Sequence, residues 1–287
     1  IDMRSWLFVP ADSKKKLGKI HAQTSDAVVL DLEDSVARAN KPLARELAAD
    51  FLGKHELEHE QLWVRINPLT TPDAAADLEA IVPAAPAGIM LPKARSAQDV
   101  NELSLRLGQL EADHGLQSGS IKILPLVTEV PEALFTLGGY VDCDDRLAGL
   151  SWGAEDLGSA IGATEVRDGF GGWTPPFEMV RNLCLFAAHA AGVPAIDTIH
   201  ADFRDIEGLA ESCAEASRDG FAGKLAIHPG QVEIINNAFK PSAEDIEHAQ
   251  KVVALFEGNP ESGVLELDGV MLDRPHLLKA KRILKNL

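Results

Sequence analysis

Two alternating patterns of apolar and polar residues run along the chain. Short apolar, β-branched runs are typical of buried strands, and longer stretches whose apolar residues recur every three or four positions are typical of helices. Residues 41–54 and 97–113 show the helical pattern. We identify eight strand-like runs, at residues 6–9, 27–32, 62–67, 88–91, 122–127, 147–152, 193–197 and 224–228.

Eight strand–helix units in series predict an α/β fold, the TIM (β/α)8 barrel. The alternative is an open doubly wound sheet, which needs a glycine-rich phosphate-binding turn after an early strand. No such turn follows the first predicted strands. We therefore predict a barrel over residues 1–258, followed by a C-terminal helical extension over residues 259–287 that a barrel does not require.

Charge and composition argue against several classes of partner. The chain has 287 residues and a formal net charge of −17, so a nucleic acid or an anionic membrane would repel it. No apolar run approaches the roughly 18 residues that a membrane span needs. The three cysteines lack the spacing of a disulfide framework or a zinc site. We expect a cytoplasmic protein that binds neither nucleic acid nor membrane.

Charged and polar residues follow nearly every predicted strand. In a barrel of this kind the active site lies at the carboxyl ends of the strands, so these residues are expected to converge on one face. They are Asp12, Asp31, Glu33, Asp34, Arg65, Asn67, Lys93, Glu129, Glu155, Asp156, Asp197 and His228.

Glu129 and Asp156 follow consecutive strands, the fifth and the sixth. Neighbouring strands lie about 4.8 Å apart, so both carboxylates can reach one cation. Two carboxylates with room for water or substrate are a common way to hold Mg²⁺. The alternative is that Asp156 caps a helix and Glu129 is a solvated loop charge. We favour the Mg²⁺ site because both strand ends point to it.

Arg65 lies in an otherwise apolar strand, where an unpaired guanidinium would be costly, so it must meet an anion. That anion is either a structural carboxylate such as Glu33 or the carboxylate of a substrate. The lysines after the first strand form either a solvated helix face or a site for a phosphate-bearing ligand at the barrel mouth. These lysines are Lys14, Lys15, Lys16 and Lys19.

Two other residues at strand ends have competing interpretations. Lys93 could form a Schiff base, as lysines of some aldolases do, but a Schiff base and a metal are alternative electron sinks. The carboxylate pair favours the metal. His228 precedes Pro229 and is either a catalytic base or a hydrogen-bonded packing residue.

Nine motifs, in order along the chain, carry a resemblance to a known family. They are RSWLFVPA, DAVVLDLEDSV, WVRINP, MLPKA, TE at 128–129, WGAEDLGSAIGA, AIDTIHADFRD, GFAGKLAIHPGQ and GVMLDRPHL. On these motifs the chain resembles the HpcH/HpaI aldolase and citrate lyase β-subunit (CitE-like) family over nearly its full length. The resemblance implies a Mg²⁺-dependent carbon–carbon lyase, assembled as a homotrimer or hexamer, that acts on 3-hydroxy acyl thioesters such as malyl-, citramalyl- or citryl-CoA.

The resemblance also implies roles for residues of the barrel. The family's metal ligands fall on Glu129 and Asp156, and its substrate-binding arginine falls on Arg65. In this scheme Arg65 stabilises the oxygen of a thioester enolate. Asp31 and Glu33 would orient Arg65 and complete the surroundings of the metal.

Coenzyme contacts and the acid/base group come from both ends of the chain. Arg4, Lys14 and Lys19 match positions at which relatives engage the coenzyme. The family's general acid/base falls on Asp273, on a segment that in relatives covers the active site of a neighbouring subunit. The sequence alone offers another interpretation, because Asp273 lies two residues before Pro275 and could simply cap the final helix.

Three other functions are compatible with the same motifs. The protein could be an acyl-CoA thioesterase, if its metal site activates water against the thioester. It could be a metal-dependent aldolase on free keto acids, which would not need the basic residues. It could also be a citrate lyase subunit that works only on an acyl carrier protein.

Overall fold

Eight parallel strands form one sheet in the computed structural model, which describes residues 3–20, 24–54 and 61–285. The strands are β1 (Ser5–Pro10), β2 (Ala27–Asp31), β3 (Leu62–Arg65), β4 (Gly88–Leu91), β5 (Lys122–Pro125), β6 (Leu150–Ser151), β7 (Ala195–Asp197) and β8 (Gly223–Ala226). Their order is β5-β4-β3-β2-β1-β8-β7-β6, and two bridges join β5 to the β6 region. The predicted TIM barrel is confirmed, and each predicted run overlaps one strand.

Helices cover the outside of the barrel. They are α1 (Lys14–Leu17), α2 (Lys41–Gly53), α3 (Asp73–Ile81), α4 (Ala97–Asp113), α5 (Ala154–Ile161), α6 (Pro175–Ala190), α7 (Ile206–Asp219) and α8 (Val232–Ala238). Among the described residues, no helix has the length and apolar character needed to cross a membrane.

We expected one helix after each strand, and this expectation is wrong after β5. There the chain forms two 3₁₀ turns, Pro131–Phe135 and Leu137–Asp142, and β6 is instead followed by both α5 and α6. Pro131 lacks a backbone N–H, and two consecutive glycines, Gly138 and Gly139, weaken helix formation further along the segment. The chain between β5 and β6 therefore consists of irregular turns rather than an α-helix.

Large apolar side chains fill the barrel interior. Trp6 of β1 and Trp63 of β3 meet edge to face with ring centroids 4.9 Å apart, within a cluster that also contains Met90, Leu124 and Leu225. A Cβ atom at Gly88 would lie 2.2 Å from the Trp63 ring, so the indole fits only beside glycine. The interior is a packed core, which leaves the ends of the strands as the place for a site.

The barrel closes between β5 and β6 through a short contact that we call the seam. Strand β6 has only two residues, and bridges Ile123–Leu147 and Leu126–Ser151 connect it and its approach to β5. Three backbone hydrogen bonds accompany them: Ile123 N to Arg146 O at 2.8 Å, Ala148 N to Ile123 O at 2.9 Å, and Val127 N to Ser151 O at 2.9 Å. The seam thus has fewer bonds than a full strand pair such as β1–β2, whose register covers five residue pairs.

A buried ion pair reinforces the seam. Arg146 donates from its two Nη atoms to the Glu111 carboxylate at 2.7 and 2.6 Å, and Glu111 also accepts the backbone N–H groups of Gly119 and Ile121 at 2.9 and 3.1 Å. Burial alone would raise the pKa of Glu111, but Arg146 and these N–H groups lower it to about 2. The pair ties α4 to the start of β5 and to the approach to β6.

Replacing Glu111 by glutamine should lower the free energy of unfolding by about 3–5 kcal/mol at pH 7, because it leaves the Arg146 guanidinium buried without a counterion. The native carboxylate stabilises the fold fully above its ordinary pKa of 4.5, and this contribution is lost as the pH falls towards 2. Urea unfolding should therefore give a larger difference between wild type and Glu111→Gln at pH 7 than at pH 3. Equal differences would contradict the assignment.

The matched control for this experiment is Glu102→Gln. Glu102 pairs with Arg106 one turn along α4, but both side chains are partly exposed to solvent. Exposed pairs of this spacing contribute about 0.3–0.5 kcal/mol, so the control should change stability little at either pH.

The chain divides into two compact units after Asn237. The second unit contains α9 (Ala243–Glu257), the antiparallel strands β9 (Val264–Leu267) and β10 (Val270–Asp273), and α10 (Arg274–Lys285). Val252 and Phe256 of α9 pack with Leu272 and Ala280 in one apolar cluster. This division lies before the boundary expected after residue 258, because the apolar side of α9 packs within the C-terminal unit.

Candidate active site

A small cavity of about 70 Å³ lies at the carboxyl ends of the barrel strands. Its polar lining includes Arg65, Glu129 and Asp156, three of the residues that the sequence predicted for the site. Phe8 and Trp152 are among its apolar walls. The structure therefore brings the two carboxylates and the arginine together, although they lie far apart in the sequence.

Glu129 follows β5 and is 4% exposed. Its Oε2 atom accepts the backbone N–H of Lys93 at 2.6 Å. A Cβ atom at position 153 would lie 2.7 Å from Glu129 Cγ and 2.9 Å from Oε1, so Gly153 leaves the space that this side chain occupies. Burial, together with the nearby charges of Asp156 and Glu33, raises the pKa of Glu129 to about 8. This carboxyl group is held in a place where its negative charge is poorly compensated.

Asp156 lies in the first turn of α5, which begins after the N-cap residue Gly153. The alternative in which Asp156 caps the helix is therefore wrong, because the cap position belongs to a glycine. The positive end of the helix dipole favours a carboxylate in this turn. The side chain is 34% exposed, and its Oδ1 atom is 3.3 Å from Lys93 Nζ. Asp156 is thus the more accessible of the two carboxylates.

Arg65, at the end of β3, contacts two carboxylates and one aromatic ring. It donates from Nε and Nη2 to the two oxygens of Asp31, at 2.7 Å each, and its Nη1 atom lies 3.2 Å from Glu33 Oε2. The guanidinium also stacks over Phe8, 4.6 Å from the ring centroid. The interpretation in which Arg65 pairs with a structural carboxylate is therefore the one that the structure shows, and Asp31 is the main partner. Since Arg65 also lines the cavity, a substrate anion remains a second partner that it could bind.

Lys93, which ends up between the carboxylates, was not predicted to hold them. Its Nζ atom lies 2.5 Å from Glu33 Oε1, 3.0 Å from Asp34 Oδ2 and 3.3 Å from Asp156 Oδ1. Burial alone would lower the pKa of this ammonium, but its bonds with these carboxylates raise it above the ordinary range. A charged ammonium is a poor Schiff-base nucleophile. The sequence did contain a signal for these contacts. Lys93 follows one strand, and carboxylates follow the neighbouring strands.

Arg4 lies at the other end of the barrel, which corrects its expected place at the site. It precedes β1 and forms a bidentate pair with Asp26, which precedes β2, at 2.8 and 2.9 Å. A strand of six residues such as β1 spans about 20 Å, so Arg4 is separated from the carboxyl ends by the length of the strand. The motif RSWLFVPA runs from one end of β1 to the other. It therefore led us to expect Arg4 at the site, although Arg4 precedes the strand.

The lysines after β1 are not in the cavity. Lys14 lines a groove of about 410 Å³ between α1 and the second half of α2, with Leu47, Phe51 and Lys54 on its other wall. Lys19 is exposed on the segment after α1. Within the described residues, the groove and the cavity share no lining residue. A ligand that contacts both the lysines and Glu129 must therefore be long.

Two other residues from strand ends point elsewhere. Asp197 is buried and accepts bonds from Trp152 Nε1 at 2.8 Å and from Lys224 Nζ at 2.5 Å, so it supports one wall of the cavity without lining it. His228 Nδ1 accepts the N–H of Gly230 at 3.1 Å, and the ring stacks on Phe203. The hydrogen-bonded interpretation of His228 is the one that its geometry supports.

Asp273 ends β10 in the C-terminal unit, immediately before α10. Its carboxylate Oδ1 atom lies 2.6 Å from His276 Nδ1, and its side chain is 36% exposed. The carboxylate contacts a side chain in the first turn of the helix. It is also partly exposed to solvent.

Three carboxylates line the cavity, Glu129, Glu155 and Asp156, and the two predicted metal ligands are among them. Across residues 3–20, 24–54 and 61–285, no group of three or more His, Cys, Asp and Glu side chains is arranged to hold a metal ion. Oxygen donors with room for water or substrate suit a hard cation such as Mg²⁺, which keeps several of its waters.

Comparisons with known proteins cover the whole chain. A family model described as HpcH/HpaI aldolase/citrate lyase matches residues 4–229, and one described as a C–C bond lyase of the TIM-barrel fold matches residues 175–286. The chain is 36% identical over 280 residues to a citrate lyase subunit beta-like protein of Mycobacterium tuberculosis, covering 98% of this chain and 94% of that protein.

Two further relatives have names that describe a reaction. The chain is 33% identical to a (3S)-malyl-CoA thioesterase of Cereibacter sphaeroides, with 98% of this chain and 93% of the relative covered. It is 31% identical to the mitochondrial citramalyl-CoA lyase of Rattus norvegicus, with 99% and 85% covered.

A solved structure is similar in both units. CitE from Mycobacterium tuberculosis, in complex with magnesium, acetoacetate and coenzyme A, superposes with a TM-score of 0.80 at 34% sequence identity. The similarity covers 99% of this chain and 97% of that one.

Proposed function

The chain belongs to the HpcH/HpaI aldolase/citrate lyase family, and from this membership we propose that it is a Mg²⁺-dependent carbon–carbon lyase. The substrate in this proposal is a 3-hydroxy dicarboxylic or tricarboxylic acyl-CoA thioester, such as citramalyl-, malyl- or citryl-CoA, which the enzyme cleaves or forms. The observation that carries the proposal is the cavity shared by Glu129, Asp156 and Arg65. The magnesium, acetoacetate and coenzyme A bound by the CitE structure support it, since they match the cofactor and product types of such a reaction.

Glu129 and Asp156 fit a divalent cation. Burial, and then the neighbouring carboxylates Asp156 and Glu33, raise the pKa of Glu129, and a cation beside it would favour the ionised form. Both residues offer the oxygen donors that Mg²⁺ prefers. When bound, Mg²⁺ supplies Lewis-acid polarisation of the substrate's oxygens. Gly153 leaves the space in which Glu129 can present its carboxylate.

Arg65 is the group that would bind the substrate's anionic oxygen. Cleavage breaks the bond between the hydroxyl-bearing carbon and the carbon next to the thioester, giving a keto acid and a thioester enolate. Asp31 and Glu33 hold the guanidinium in one orientation, so donation to the enolate oxygen needs little reorganisation. We assign both proton transfers to Asp273: its carboxylate takes the proton of the substrate's hydroxyl group as the carbon–carbon bond breaks, and the carboxyl group so formed gives that proton to the enolate carbon, which completes an acyl-CoA product.

One experiment separates this function from the alternatives. Purified protein is incubated with Mg²⁺ and each of the three thioesters, while keto acid and free thiol are followed in parallel. A lyase releases keto acid and keeps the thioester intact, whereas a thioesterase releases thiol without keto acid. Activity on free hydroxy acids would indicate an aldolase, and activity only on an acyl carrier protein would indicate a carrier-dependent subunit.

The thioesterase is the second candidate because a relative of similar identity has that name. It would use the same two carboxylates but would direct water to the thioester carbonyl. The two functions differ in the keto acid, which only carbon–carbon cleavage produces. A stoichiometric release of thiol with no keto acid from any of the three thioesters would replace our first proposal with this one.

We expect the double variant Lys14→Met/Lys19→Met to raise KM for the acyl-CoA by about tenfold or more, with kcat little changed. Lysines that bind coenzyme phosphates act on the ground state and the transition state alike, and two lost phosphate contacts are worth on the order of 1–2 kcal/mol. Steady-state kinetics at low and high salt measures the effect, which should shrink as salt rises. Lys251→Met, which removes one exposed lysine of α9, is the matched control. A KM equal to that of wild type would assign Lys14 and Lys19 to a solvated surface.

We also propose that the protein is a cytoplasmic homotrimer, or a hexamer, in which the C-terminal extension of one subunit covers the active site of its neighbour. The resemblance of the extension to its relatives supports this arrangement, as does the match of a family model to residues 175–286. Its mechanistic consequence is that Asp273 acts on a substrate bound by another copy of the chain. A cover of this kind excludes water from a reactive enolate after the substrate has entered.

A further inference from the structure

Lys93 contacts four carboxyl groups with two different parts of the residue. Its backbone N–H donates to Glu129 at 2.6 Å, and its ammonium lies within 3.3 Å of Glu33, Asp34 and Asp156. The side chain is 26% exposed, so these contacts are partly shielded from water. Lys93 is therefore the residue that connects both proposed metal ligands.

The backbone of Lys93 is in a conformation that side chains with a Cβ atom rarely adopt. Its φ is +52°, in the left-handed region, and the other non-glycine residues with positive φ in the described chain are Ala85 and Asp268. Ala85 ends a 3₁₀ turn, and Asp268 lies in the β9–β10 turn, where such angles are common. Lys93 also lies in a turn, directly after β4, and there the angle accompanies contacts with the site, which is where backbone strain tends to be retained.

The charges around the cavity leave Lys93 as the available counterion. Arg65 is already engaged by Asp31 and Glu33. Among the described residues, the ammonium of Lys93 is the one that contacts the remaining carboxylates, and Asp156 is its most distant partner, at 3.3 Å. Two positive charges repel each other, so an ammonium beside Asp156 and a divalent cation on the same carboxylate compete.

We propose that Lys93 is a positioning residue whose ammonium is the internal counterion of the site, and that a divalent cation bound by Glu129 and Asp156 displaces this ammonium from Asp156 onto Glu33 and Asp34. The inference rests on the proposed metal site. In the metal-free protein Lys93 keeps the carboxylates from repelling one another. In the metal-bound protein it continues to hold Glu33, which in turn contacts Arg65. Lys93 thereby links cation binding to the orientation of the substrate-binding arginine.

The proposal predicts opposite effects on affinity and on stability. Removing the ammonium by Lys93→Met should tighten Mg²⁺ binding by about tenfold, because the cation no longer competes with a neighbouring unit charge. The same change should lower the melting temperature of the metal-free protein. Saturating Mg²⁺ should restore most of that loss, because ligand binding stabilises the folded state. Lys93→Arg keeps the charge and should resemble wild type in both measurements.

The experiment is calorimetric titration of chelator-treated, dialysed protein with MgCl₂, together with thermal unfolding with and without the metal. Lys251→Met is the matched control, because it removes an exposed lysine charge paired with Glu247 on α9. A magnesium affinity of Lys93→Met that equals or falls below that of wild type, in a protein that unfolds cooperatively, overturns the proposal.

A double-mutant cycle with Asp34→Asn tests the displacement itself. Asp34 is 59% exposed and lies 3.0 Å from the ammonium. If Asp34 receives the displaced ammonium, Asp34→Asn should weaken Mg²⁺ binding several-fold in the wild-type background and much less in Lys93→Met. A similar loss in both backgrounds would mean that Asp34 acts only through its own charge, and would overturn the displacement.

Failure of the metal site gives a different pattern. If Glu129→Gln and Asp156→Asn bind Mg²⁺ as wild type does, the proposed metal site is wrong and the Lys93 proposal falls with it. If those variants lose binding while Lys93→Met leaves it unchanged, the metal site stands and the role of Lys93 alone is refuted.

Discussion

Glu129→Gln and Asp156→Asn should each reduce Mg²⁺-dependent cleavage of the thioester by about a thousandfold or more, while leaving the barrel folded. The expected size follows from the several kcal/mol of charge stabilisation that a metal supplies, since about 4 kcal/mol corresponds to a thousandfold in rate. Loss of either carboxylate leaves a single oxygen ligand from the chain, which is too few to hold the cation in place.

Stability should respond differently to the two substitutions. Glu129 is 4% exposed and lies near Asp156 and Glu33, which disfavours its ionised form, so a neutral glutamine is tolerated in this buried position. We expect the metal-free Glu129→Gln protein to be as stable as wild type or more stable. Asp156→Asn loses a partly exposed contact with Lys93 and should cost less than about 1 kcal/mol.

Steady-state kinetics, magnesium titration and thermal unfolding of the same preparations test these expectations together. Glu132→Gln is the matched control, because Glu132 is exposed in the 3₁₀ turn directly after Glu129. Either substituted protein retaining wild-type magnesium affinity would falsify the assignment of the pair.

Mixed oligomers of Asp273→Ala and Arg65→Ala chains should regain activity that neither variant has alone. An active site in a mixed oligomer is complete when the barrel comes from an Asp273→Ala chain and the covering segment from an Arg65→Ala chain. In a cyclic homo-oligomer assembled at random from equal amounts, about a quarter of the sites meet both conditions. Recovery to about a quarter of wild-type activity is therefore the expected result.

Chains that are unfolded and refolded together give this random mixture. Co-expression with two different tags and purification through both removes the pure oligomers, which raises the expected recovery to about a third for a trimer. Separately assembled variants combined without exchange are the control and should remain inactive. If doubly tagged oligomers of the correct mass stay inactive, Asp273 works within its own subunit or has no part in the reaction.

The sequence predicted the barrel well because its strands are local features. Each strand is a short apolar run, as residues 88–91 illustrate with β4, and such runs are visible without knowledge of their neighbours. The rule that sites lie at carboxyl ends then selected Arg65, Glu129 and Asp156, which line one cavity. The spacing of apolar residues and the topology of the fold were sufficient to predict that these three residues lie together.

Contacts between distant residues were harder to predict. Lys93 and Glu33 are separated by 60 positions, and the left-handed backbone at Lys93 is not signalled by a glycine. Arg4 was misplaced because its motif spans a whole strand, so one end can lie at the site while the other does not. The position of the division near Asn237 depends on which surface α9 packs against, and an amphipathic pattern does not identify its partner.

The short seam between β5 and β6 has a consequence for local opening of the barrel. Local opening proceeds where few backbone bonds must break, so the amides of Ile123, Val127 and Ala148 should exchange with deuterium sooner than those inside the β1–β2 ladder. Glu129 follows the strand on one side of this seam, and Asp156 follows the strand on the other. A cation held by both would therefore connect the two sides of the seam, and slower deuterium uptake at these three amides in the presence of Mg²⁺ would show that it keeps the seam closed.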